Sequence, residues 1–326
     1  MYLLGLDAGG TSTRATLVTA DGTCVGYGRA GGGNPISSGP EHAASEVLSA
    51  ISAALQPAGA ALSDVRVIVS AMAGSSTHGP QDWLRDPLVE GGFSGRLVFH
   101  SDLLATYFSG TFSPDGYAMV SGTGAAVIRV RDGAIEATAD GLGWLLGDRG
   151  SGYWIGHQVV LAVAAALDSR GPATQLTRLL LDALGIAATG PLEQGRPAAL
   201  GALISAVYAL RPVQLARFAP LAFQAAGDPE AARILSDAAD HLAHTVRAVA
   251  TPAITGPLVM GGSVLAQAGN PVARLKEQLA ATGFAPAITH VSDGAVGSAM
   301  LAVRESGVDA GEDIFRAITQ SMAMQR

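Results

Sequence analysis

Short apolar runs separated by glycine-rich turns open the chain and predict a meander of three strands. The runs are Tyr2 to Leu6, Arg14 to Val18 and Cys24 to Arg29, each of a length typical of a strand. Asp21-Gly22 separates the second run from the third, and this dipeptide favours a tight hairpin turn. The pattern therefore predicts antiparallel strands at the start of the fold.

The next segment changes to helical spacing and then returns to strands. A helix is predicted from Glu41 to Leu55, where apolar residues recur three and four positions apart. Val65 to Ser70 and Arg96 to Phe99 are continuous apolar runs, which are typical of strands covered on both faces. A further helix is predicted over Leu103 to Phe108. Together with the meander, these elements have the order βββαβαβ.

A second meander is predicted farther along the chain, in the same order as the first. Its strands are Tyr117 to Ser121, Ala125 to Val130 and Gly133 to Ala137. The repeated order indicates a duplicated unit, although the two halves show no residue-by-residue repeat. The remaining predicted elements are helices over Tyr153 to Leu184, over Ala198 to Ala250, from Val264 onward and over Glu312 to Met324, and a strand over Pro257 to Met260.

Length and composition indicate two domains. The chain has 326 residues, of which 48% are hydrophobic and 14% charged. Because this chain length exceeds the size at which a single hydrophobic core stops growing, we expect two domains with a cleft between them. Residues 1–111 form the predicted first domain, and residues 112–311 the second, with helical insertions. The C-terminal helix within 312–326 is expected to pack back on the first domain.

Charge and residue usage exclude several classes of function. The formal net charge is −7 and no run of Lys or Arg occurs, so nucleic acid is a poor partner. No apolar run reaches the ~18 residues of a membrane span. Cys24 is the single cysteine, which excludes an internal disulfide and a cysteine-rich zinc site. Lys276, the single lysine, follows no glycine-rich loop, so any ATP is bound without a P-loop lysine. We expect a soluble, cytoplasmic protein.

The turn after the first strand has the composition of a phosphate-binding loop. Its two glycines let the backbone approach an anion, and its N–H and hydroxyl groups can bind phosphate oxygens. The Asp7 carboxylate can hold a hydrated Mg²⁺. A plain glycine-rich hairpin is the alternative interpretation. The candidate nucleotide-binding residues here are Gly9, Gly10, Thr11, Ser12, Thr13 and Arg14.

Two further glycine turns extend the candidate nucleotide site. One follows the first strand of the second meander, so the two turns could grip one polyphosphate from both sides. The other lies between a buried strand and a predicted helix, which suits contacts to adenosine and the α-phosphate. Taken alone, the latter is merely a tight strand-to-helix turn. The candidate residues are Gly122, Thr123 and Gly124 in the first, and Gly261, Gly262 and Ser263 in the second.

These motifs resemble, in order, those of a known family. They read Asp-x-Gly-Gly-Thr, Ser-Asp at a strand end, Ser-Gly-Thr-Gly, Gly-Asp-x-Gly-Ser-Gly-Tyr-Trp-Ile-Gly and Gly-Gly-Ser. The chain is similar to the N-acetylglucosamine-kinase and BadF/BadG/BcrA/BcrD ATPase family of the actin-like ATPase superfamily. The resemblance implies an α/β fold of two actin/hexokinase-like (ribonuclease-H-like) domains. Each would have a βββαβαβ core, with Mg²⁺ and ATP in the cleft between them.

The same resemblance implies roles for residues of the cleft. Asp102 matches the catalytic base, which takes a proton from a sugar hydroxyl; its alternative role is to cap the helix from Leu103. Asp148 matches a ligand of a sugar hydroxyl; its alternative role is to cap the helix from Tyr153. The other candidate sugar contacts are Asn34, Gly74, Ser75, Ser101 and Thr123.

Departures from the family pattern bear on the sugar. Ala125-Ala126 stand where N-acetylglucosamine kinases share an Asn. This difference weakens the case for a sugar that carries an acetamide group. Asp140 adds a carboxylate beside the expected sugar pocket, and it could pair with the protonated amine of a 2-amino sugar. We therefore expect glucosamine, phosphorylated to glucosamine 6-phosphate, with N-acetylglucosamine as the alternative. A solvated turn residue is the other interpretation of Asp140.

Two further functions compete with a sugar kinase. An ATPase that activates a radical enzyme passes an electron through a shared iron–sulfur cluster, which needs cysteines at a subunit interface. Cys24, inside a predicted strand, does not suit that role. A sugar sensor with a dead site is disfavoured because Asp7, Thr11 and Asp102 are all present. The expected partner is a small amino sugar, and a homodimer is left open.

Overall fold

The fold consists of β-sheets with helices on their faces. The computed structural model of the protein describes residues 1–74, 81–225, 227–267 and 270–326. The strands are β1 (Tyr2–Ala8), β2 (Thr13–Thr19), β3 (Cys24–Ala30), β4 (Val65–Met72), β5 (Arg96–Ser101), β6 (Gly116–Ser121), β7 (Ala125–Arg131), β8 (Ala134–Asp140), β9 (Leu192–Glu193), β10 (Arg196–Pro197), β11 (Leu258–Gly261) and β12 (Ile288–His290). The helices are α1 (Pro35–Ser38), α2 (Pro40–Leu55), α3 (Asp82–Glu90), α4 (Asp102–Gly110), α5 (Gly152–Leu167), α6 (Gln175–Leu184), α7 (Ala198–Tyr208), α8 (Ala219–Gln224), α9 (Pro229–Val249), α10 (Asn270–Ala280), α11 (Ala295–Glu305) and α12 (Glu312–Ala323).

Two five-stranded sheets share one topology. The first has the strand order β3-β2-β1-β4-β5, and the second has the order β8-β7-β6-β11-β12. In each, an antiparallel meander is followed by two parallel strands. The predicted duplicated unit is thereby confirmed, as are both meanders, whose strands extend a few residues beyond the predicted ends.

The first sheet is covered on both faces, which explains its continuous apolar strands. Along β1, the side chain of Leu3 packs in one core cluster with α4 and α11, whereas Leu4 and Leu6 pack in another with α2. All three side chains have no exposed surface. Alternate residues of a strand point to opposite faces, so a strand between two helical layers must be apolar throughout.

Helix α4 connects the two sheets. It shares a core cluster with Val69 of the first sheet and with Ala118 and Ile128 of the second. The other face of the second sheet packs against α9, where Tyr117 contacts a cluster containing Leu242. Because α4 begins directly after β5, residues at its first turn are held rigidly with respect to both sheets.

The long predicted helices are interrupted. The prediction of one helix over Tyr153 to Leu184 is wrong, because α5 ends at Leu167 and α6 begins at Gln175. Gly171 and Pro172 lie in the gap, and proline lacks the N–H that a continuing helix needs. The predicted helix over Ala198 to Ala250 likewise divides into α7, a 3-10 segment over Pro212–Phe218, α8 and α9.

The predicted helix from Val264 is also wrong. Residues 263–266 form turns, and α10 spans Asn270–Ala280. The N–H of Val264 donates a 3.0 Å hydrogen bond to the carbonyl oxygen of Ser121, at the end of β6. This contact holds the segment against the second sheet, so no helix begins directly after the Gly261-Gly262-Ser263 turn.

The C-terminal helix α12 packs on β3 of the first sheet. The hydroxyl oxygen of Ser321 accepts a 2.8 Å hydrogen bond from the N–H of Cys24. The guanidinium of Arg326 lies 5.3 Å from the ring centroid of Tyr27. The domain boundaries at 111/112 and 311/312 remain predictions. Among the described residues, no helix is both long enough and apolar enough to cross a membrane.

Candidate functional site

Two carboxylates lie at one edge of the first sheet. Asp7 is near the end of β1, and Asp102 follows the last residue of β5. Asp7 pairs with Ala71 of β4, and Ala71 pairs with His100 of β5. Since β1, β4 and β5 are parallel, their carboxyl ends share an edge, where ligands of open α/β sheets bind. The structure therefore brings these two predicted site residues together.

The Asp7 carboxylate is largely buried but not isolated. Its Oδ2 accepts hydrogen bonds from the N–H of Gly294 at 3.0 Å and from Arg14 at 3.3 Å. Burial raises the pKa of Asp7 to about 6, and the nearby Asp293 and Asp102 add to the rise, although Arg14 and the Gly294 N–H oppose it. A buried carboxylate with a raised pKa gains from a cation, and oxygen is the ligand that Mg²⁺ prefers.

Arg14 lies between two carboxylates, and the second of them was missed by the sequence analysis. Its Nε is 3.5 Å from Oδ2 of Asp293. Asp293 precedes α11, and its Oδ1 accepts a 3.1 Å hydrogen bond from the N–H of Ala295. A signal was present in the sequence, because an Asp-Gly pair before an apolar helical run is typical of a helix start.

The glycine turn after β1 presents free donors. The N–H of Gly9 donates to the carbonyl oxygen of Ser12 at 2.9 Å, which closes the turn. Gly10 and Thr11 are exposed, and neither donates its N–H to another described residue. Thr13 differs, since it is fully buried and its hydroxyl donates to the carbonyl oxygen of Gly31 at 2.8 Å. The buried side chain of Thr13 therefore holds the loop at Gly31 in place.

Asp102 is a half-buried carboxylate at the start of α4. Ser101 is the N-cap residue, and its hydroxyl oxygen accepts a 3.2 Å hydrogen bond from the N–H of Leu103. Oδ1 of Asp102 also accepts from that N–H, at 3.0 Å. Burial raises the pKa of Asp102, and the hydrogen bonds from Leu103 and Ser101 offset only part of the rise. Its capping contact and a role as a base are compatible, because Oδ1 accepts both of these hydrogen bonds.

Asn34 and Gly74 meet at the neighbouring loops. The side-chain amide of Asn34 donates to the carbonyl oxygen of Ala73 at 2.9 Å, and its oxygen accepts from the N–H of Ile36 at 2.9 Å. Asn34 is 5% exposed, so its amide mainly fixes these loops and leaves one N–H for a ligand. Ser75 lies outside the described residues.

The glycine turns of the second sheet lie side by side. Gly261 of β11 pairs with Val120 of β6, so the turns that follow the two strands are adjacent. Gly262 has a φ of +99°, and a Cβ on it would overlap the carbonyl oxygen of Ser121. Only glycine meets both requirements at this position.

A third segment joins these two turns. The N–H of Gly152 donates to the carbonyl oxygen of Gly122 at 2.7 Å, and the N–H of Tyr153 donates to that of Thr123 at 3.1 Å. A cavity of about 110 Å³ lies beside them. Part of the cavity wall comes from the helical insertion and was not predicted. An Ala/Leu-rich segment gives no signal of which residues line a cavity. The cavity is lined by Gly122, Thr123, Gly152, Ala216, Ala219, Pro220, Phe223, Ser263, Val264 and Gln267.

Asp148 is a buried residue in a left-handed conformation, with a φ of +58°. Its Oδ1 accepts a 3.0 Å hydrogen bond from the N–H of Ala125, and its own N–H donates to Oδ1 of Asp140 at 2.8 Å. Burial raises its pKa, and Asp140 adds to the rise. The alternative role as a helix cap is wrong, because Ser151 caps α5 through the N–H of Trp154.

Helix α4 links the halves of the site. Thr106, one turn after Asp102, packs against Gly261. A Cβ added to Gly261 would lie 3.0 Å from the methyl carbon of Thr106. The helix that carries Asp102 therefore lies against the strand that carries the Gly262 turn. Among the described residues, no three His, Cys, Asp or Glu side chains are grouped to hold a metal ion.

Comparison with known proteins adds a family match. A sequence model of the BadF/BadG/BcrA/BcrD ATPase family matches residues 4–302. N-acetyl-D-glucosamine kinase from Dictyostelium discoideum is 28% identical over 263 residues, which cover 76% of this chain and 78% of that protein. The family match over residues 4–302 spans strands of both five-stranded sheets.

Two bacterial kinases match over a shorter region. N-acetylmuramic acid/N-acetylglucosamine kinase from Clostridium acetobutylicum is 27% identical over 183 residues, and glucosamine kinase GspK from Vibrio cholerae is 26% identical over 181 residues. Each alignment covers 56% of this chain and 60% of the relative.

A solved structure matches almost throughout. It is that of a candidate N-acetylglucosamine kinase from Chromobacterium violaceum, with a TM-score of 0.68 and 28% identity. The alignment covers 92% of this chain and 98% of that one. The predicted fold class is confirmed by this likeness.

Proposed function

Because this chain belongs to the BadF/BadG/BcrA/BcrD ATPase family, we propose that it transfers the γ-phosphoryl group of ATP to a hydroxyl of an amino sugar. The observation that carries the proposal is Asp102, a half-buried carboxylate with a raised pKa at the first turn of α4. It lies at the edge of the first sheet, beside Asp7 and the glycine turn that presents free N–H groups. The names of the relatives support an amino sugar as the acceptor.

Asp102 acts as the general base. Its carboxylate accepts the proton of the sugar hydroxyl that attacks phosphorus, and a base works best when its pKa approaches the working pH. Burial moves the pKa of Asp102 in that direction. The second carboxylate oxygen, Oδ2, is the one that we assign to the substrate, since Oδ1 is bonded to the N–H of Leu103.

The glycine turns bind ATP. Gly10 and Thr11 donate N–H groups to the phosphates from the first sheet, and Thr123 does so from the second. The N–H of Gly122 donates instead to the carbonyl oxygen of Gly124 and closes that turn. The cavity beside Ser263 takes the adenosine. Asp7 would hold Mg²⁺ through water, and the bound ion would neutralise charge on the phosphate oxygens.

Glucosamine is the acceptor that we propose, with glucosamine 6-phosphate as the product. Asp140 supports this choice, because its carboxylate adjoins Asp148 and would attract the amine of the unacetylated sugar. Asn34, Gly74 and Asp148 contact the sugar hydroxyls. The relatives include kinases named for each sugar, so N-acetylglucosamine is the acceptor against which the proposal is tested.

An electron-transferring ATPase fits the structure less well. Cys24 is 3% exposed, lies within β3 and is covered by α12 through Ser321. A thiol in that position cannot reach a cluster shared with a second subunit. Sugar phosphorylation needs no thiol and uses residues that lie at the sheet edge.

The test is ADP release by the purified protein with Mg-ATP, alone and with glucosamine, N-acetylglucosamine or glucose. We expect release to depend on glucosamine, with one sugar phosphate formed per ADP. Asp102→Asn keeps the size of the side chain and should lower kcat by about 100-fold or more, the typical contribution of a general base. Asp313→Asn, on the exposed face of α12, is the matched control and should match the wild type. Hydrolysis of ATP that ignores sugar and survives Asp102→Asn would overturn the proposal.

A further inference from the structure

Four side chains of alternating charge connect the glycine turn of the first sheet with the C-terminal segment. The guanidinium of Arg14 lies 3.3 Å from Oδ2 of Asp7 through one nitrogen and 3.5 Å from Oδ2 of Asp293 through Nε. The other oxygen of Asp293, Oδ1, lies 2.7 Å from the guanidinium of Arg326. The order is therefore carboxylate, guanidinium, carboxylate, guanidinium.

The inner members of this chain of charges are shielded from water. The side chains of Asp7, Arg14 and Asp293 are 14%, 21% and 10% exposed. Arg326 is 34% exposed and lies at the outer end. Charges in such a setting are screened less than a surface pair, so each depends on its neighbour for compensation.

Arg326 is fixed independently of Asp293. Its guanidinium stacks on Tyr27 of β3, and α12 is attached to the same strand by the hydrogen bond between Ser321 and Cys24. Asp293 is fixed by its bond to the N–H of Ala295 at the start of α11. The outer pair thus forms a rigid support around the flexible side chain of Arg14.

Arg14 needs such a support, because a long side chain loses much conformational freedom when it is held in one place. If Arg326 is removed, Asp293 keeps its charge but loses its main cation, and Arg14 becomes the nearest replacement. The Arg14 guanidinium would then move toward Asp293 and away from Asp7 and the Gly9 turn.

We propose that Arg326 is a positioning residue for nucleotide binding, which acts through Asp293 to hold Arg14 beside Asp7. The inference rests on the proposed function in that the Gly9 turn binds the phosphates of ATP. Arg326 itself touches neither the turn nor Asp7. Its effect on the nucleotide is expected to be indirect and to vanish when Arg14 is absent.

The experiment measures the Kd of the non-hydrolysable imido analogue of ATP with Mg²⁺ by titration calorimetry, without sugar. We expect Arg326→Ala to raise Kd by about 3- to 10-fold, the range for a partly exposed ion pair that orients another group. Asp293→Asn removes the charge that would draw Arg14 away from Asp7, so adding Arg326→Ala to Asp293→Asn should leave Kd unchanged. Arg326→Lys should restore part of the affinity. Arg316→Ala is the matched control, because Arg316 pairs only with Glu312 on an exposed face of the same helix.

A double-mutant cycle with Arg14→Ala separates positioning from a general loss of structure. Adding Arg326→Ala to Arg14→Ala should leave Kd unchanged, since coupled residues are not additive. An unchanged Kd in Arg326→Ala, or the same fold-change with and without Arg14 or Asp293, would overturn the inference. If the wild type binds the analogue with this coupling but phosphorylates no sugar, the positioning role stands and the proposed function fails.

Discussion

The N–H of Gly294 donates a 3.0 Å hydrogen bond to Oδ2 of Asp7, so residues 287 positions apart in sequence meet at the end of β1. This bond and the neighbouring Arg14 both favour the ionised carboxylate. Burial still outweighs them, and the pKa of Asp7 rises from 3.8 to about 6. The Asp7 carboxyl group therefore loses its proton at a lower pH in the unfolded chain than in the folded protein.

The first prediction concerns the stability of Asp7→Asn. A raised pKa means that the folded protein binds the proton more tightly, so the free energy of unfolding falls as the pH rises from 3.8 to about 6. The neutral amide avoids this loss and should stabilise the protein above about pH 7 by up to about 3 kcal/mol, at about 1.4 kcal/mol per pKa unit. Thermal unfolding of both proteins, at about pH 8 and about pH 4, measures it. A stabilisation of equal size at both pH values would contradict the assignment.

The second prediction concerns the pH dependence of catalysis. Asp102 must be ionised to accept a proton, and burial raises its pKa, so kcat should fall on acidification well above the ordinary pKa of 3.8. Rates at saturating ATP, from about pH 5 to about pH 9, measure this limb. Doubling the Mg²⁺ concentration should not shift the pH at which kcat falls. A shift would indicate that Asp7, and not Asp102, causes the fall. A fall in rate on acidification that Asp102→Asn retains would argue against Asp102 as the base.

The third prediction uses two glycines with positive φ. Gly262→Ala places a methyl group against the carbonyl oxygen of Ser121 and should weaken ATP binding by about 10-fold or more. Gly283, with a φ of +78°, has no atom near its Cβ position, so Gly283→Ala is the matched control for backbone strain. That variant should lose about 1 kcal/mol of stability and keep its affinity for ATP. Equal affinities in the two variants would remove the Gly262 turn from the nucleotide site.

The βββαβαβ units could be predicted because their signals are local. Each strand of the meanders carries its own apolar run, and Asp21-Gly22 specifies its own turn. The breaks in the helical insertion also carry local signals, Gly171-Pro172 and Pro212, but the Ala/Leu-rich runs on both sides of each break were interpreted as one helix. At Val264 a tertiary hydrogen bond to Ser121 overrode the tendency to form a helix.

The site was predicted where residues adjoin in sequence and missed where they meet only in space. Asp7 and Asp102 stand at strand ends, a position that sequence can identify. Asp293 contacts Arg14 from the far end of the chain, Arg326 contacts Asp293, and no spacing rule connects the three residues. The position of Phe223 in the cavity wall could not be predicted either, because it depends on how the helical insertion packs against the Gly122 turn.

The fourth prediction concerns a buried carboxylate outside the site. Asp228 is 3% exposed and accepts hydrogen bonds from the hydroxyl of Thr174 and the N–H groups of Gln175 and Ala231. Burial alone raises its pKa, but these bonds outweigh it and the pKa lies below the ordinary value. Asp228→Ala should cost about 2–4 kcal/mol, because it leaves buried donors of α6 and α9 unpaired.

The pH dependence of that loss has a defined sign. A lowered pKa stabilises the folded state above the unfolded pKa of 3.8, and this contribution disappears as the pH falls through the lower folded value. Wild type and Asp228→Ala should therefore differ more in unfolding midpoint at about pH 7 than at about pH 3. Asp237→Asn, on the exposed side of α9, is the control and should change little at either pH.

The fifth prediction separates the two amino sugars through Asp140. Its φ is +63°, a conformation that asparagine also tolerates, and the amide oxygen of Asp140→Asn can still accept from the N–H of Asp148. Only the charge is lost. We expect the KM for glucosamine to rise by about 10-fold, the typical worth of a hydrogen bond to a charged group, while the KM for N-acetylglucosamine and glucose stays the same.

A second variant distinguishes the charge of Asp140 from its contact with Asp148. Asp140→Gly fits the same backbone conformation but removes both the charge and the acceptor, so it should raise the KM for glucosamine at least as much and should also lower the unfolding temperature. A glucosamine KM that is unchanged in both variants would make Asp140 a turn residue without a role in selection. If the KM rises equally for all three sugars, Asp140 acts on Asp148 and the shape of the pocket, and the preference for a free amine must come from another residue.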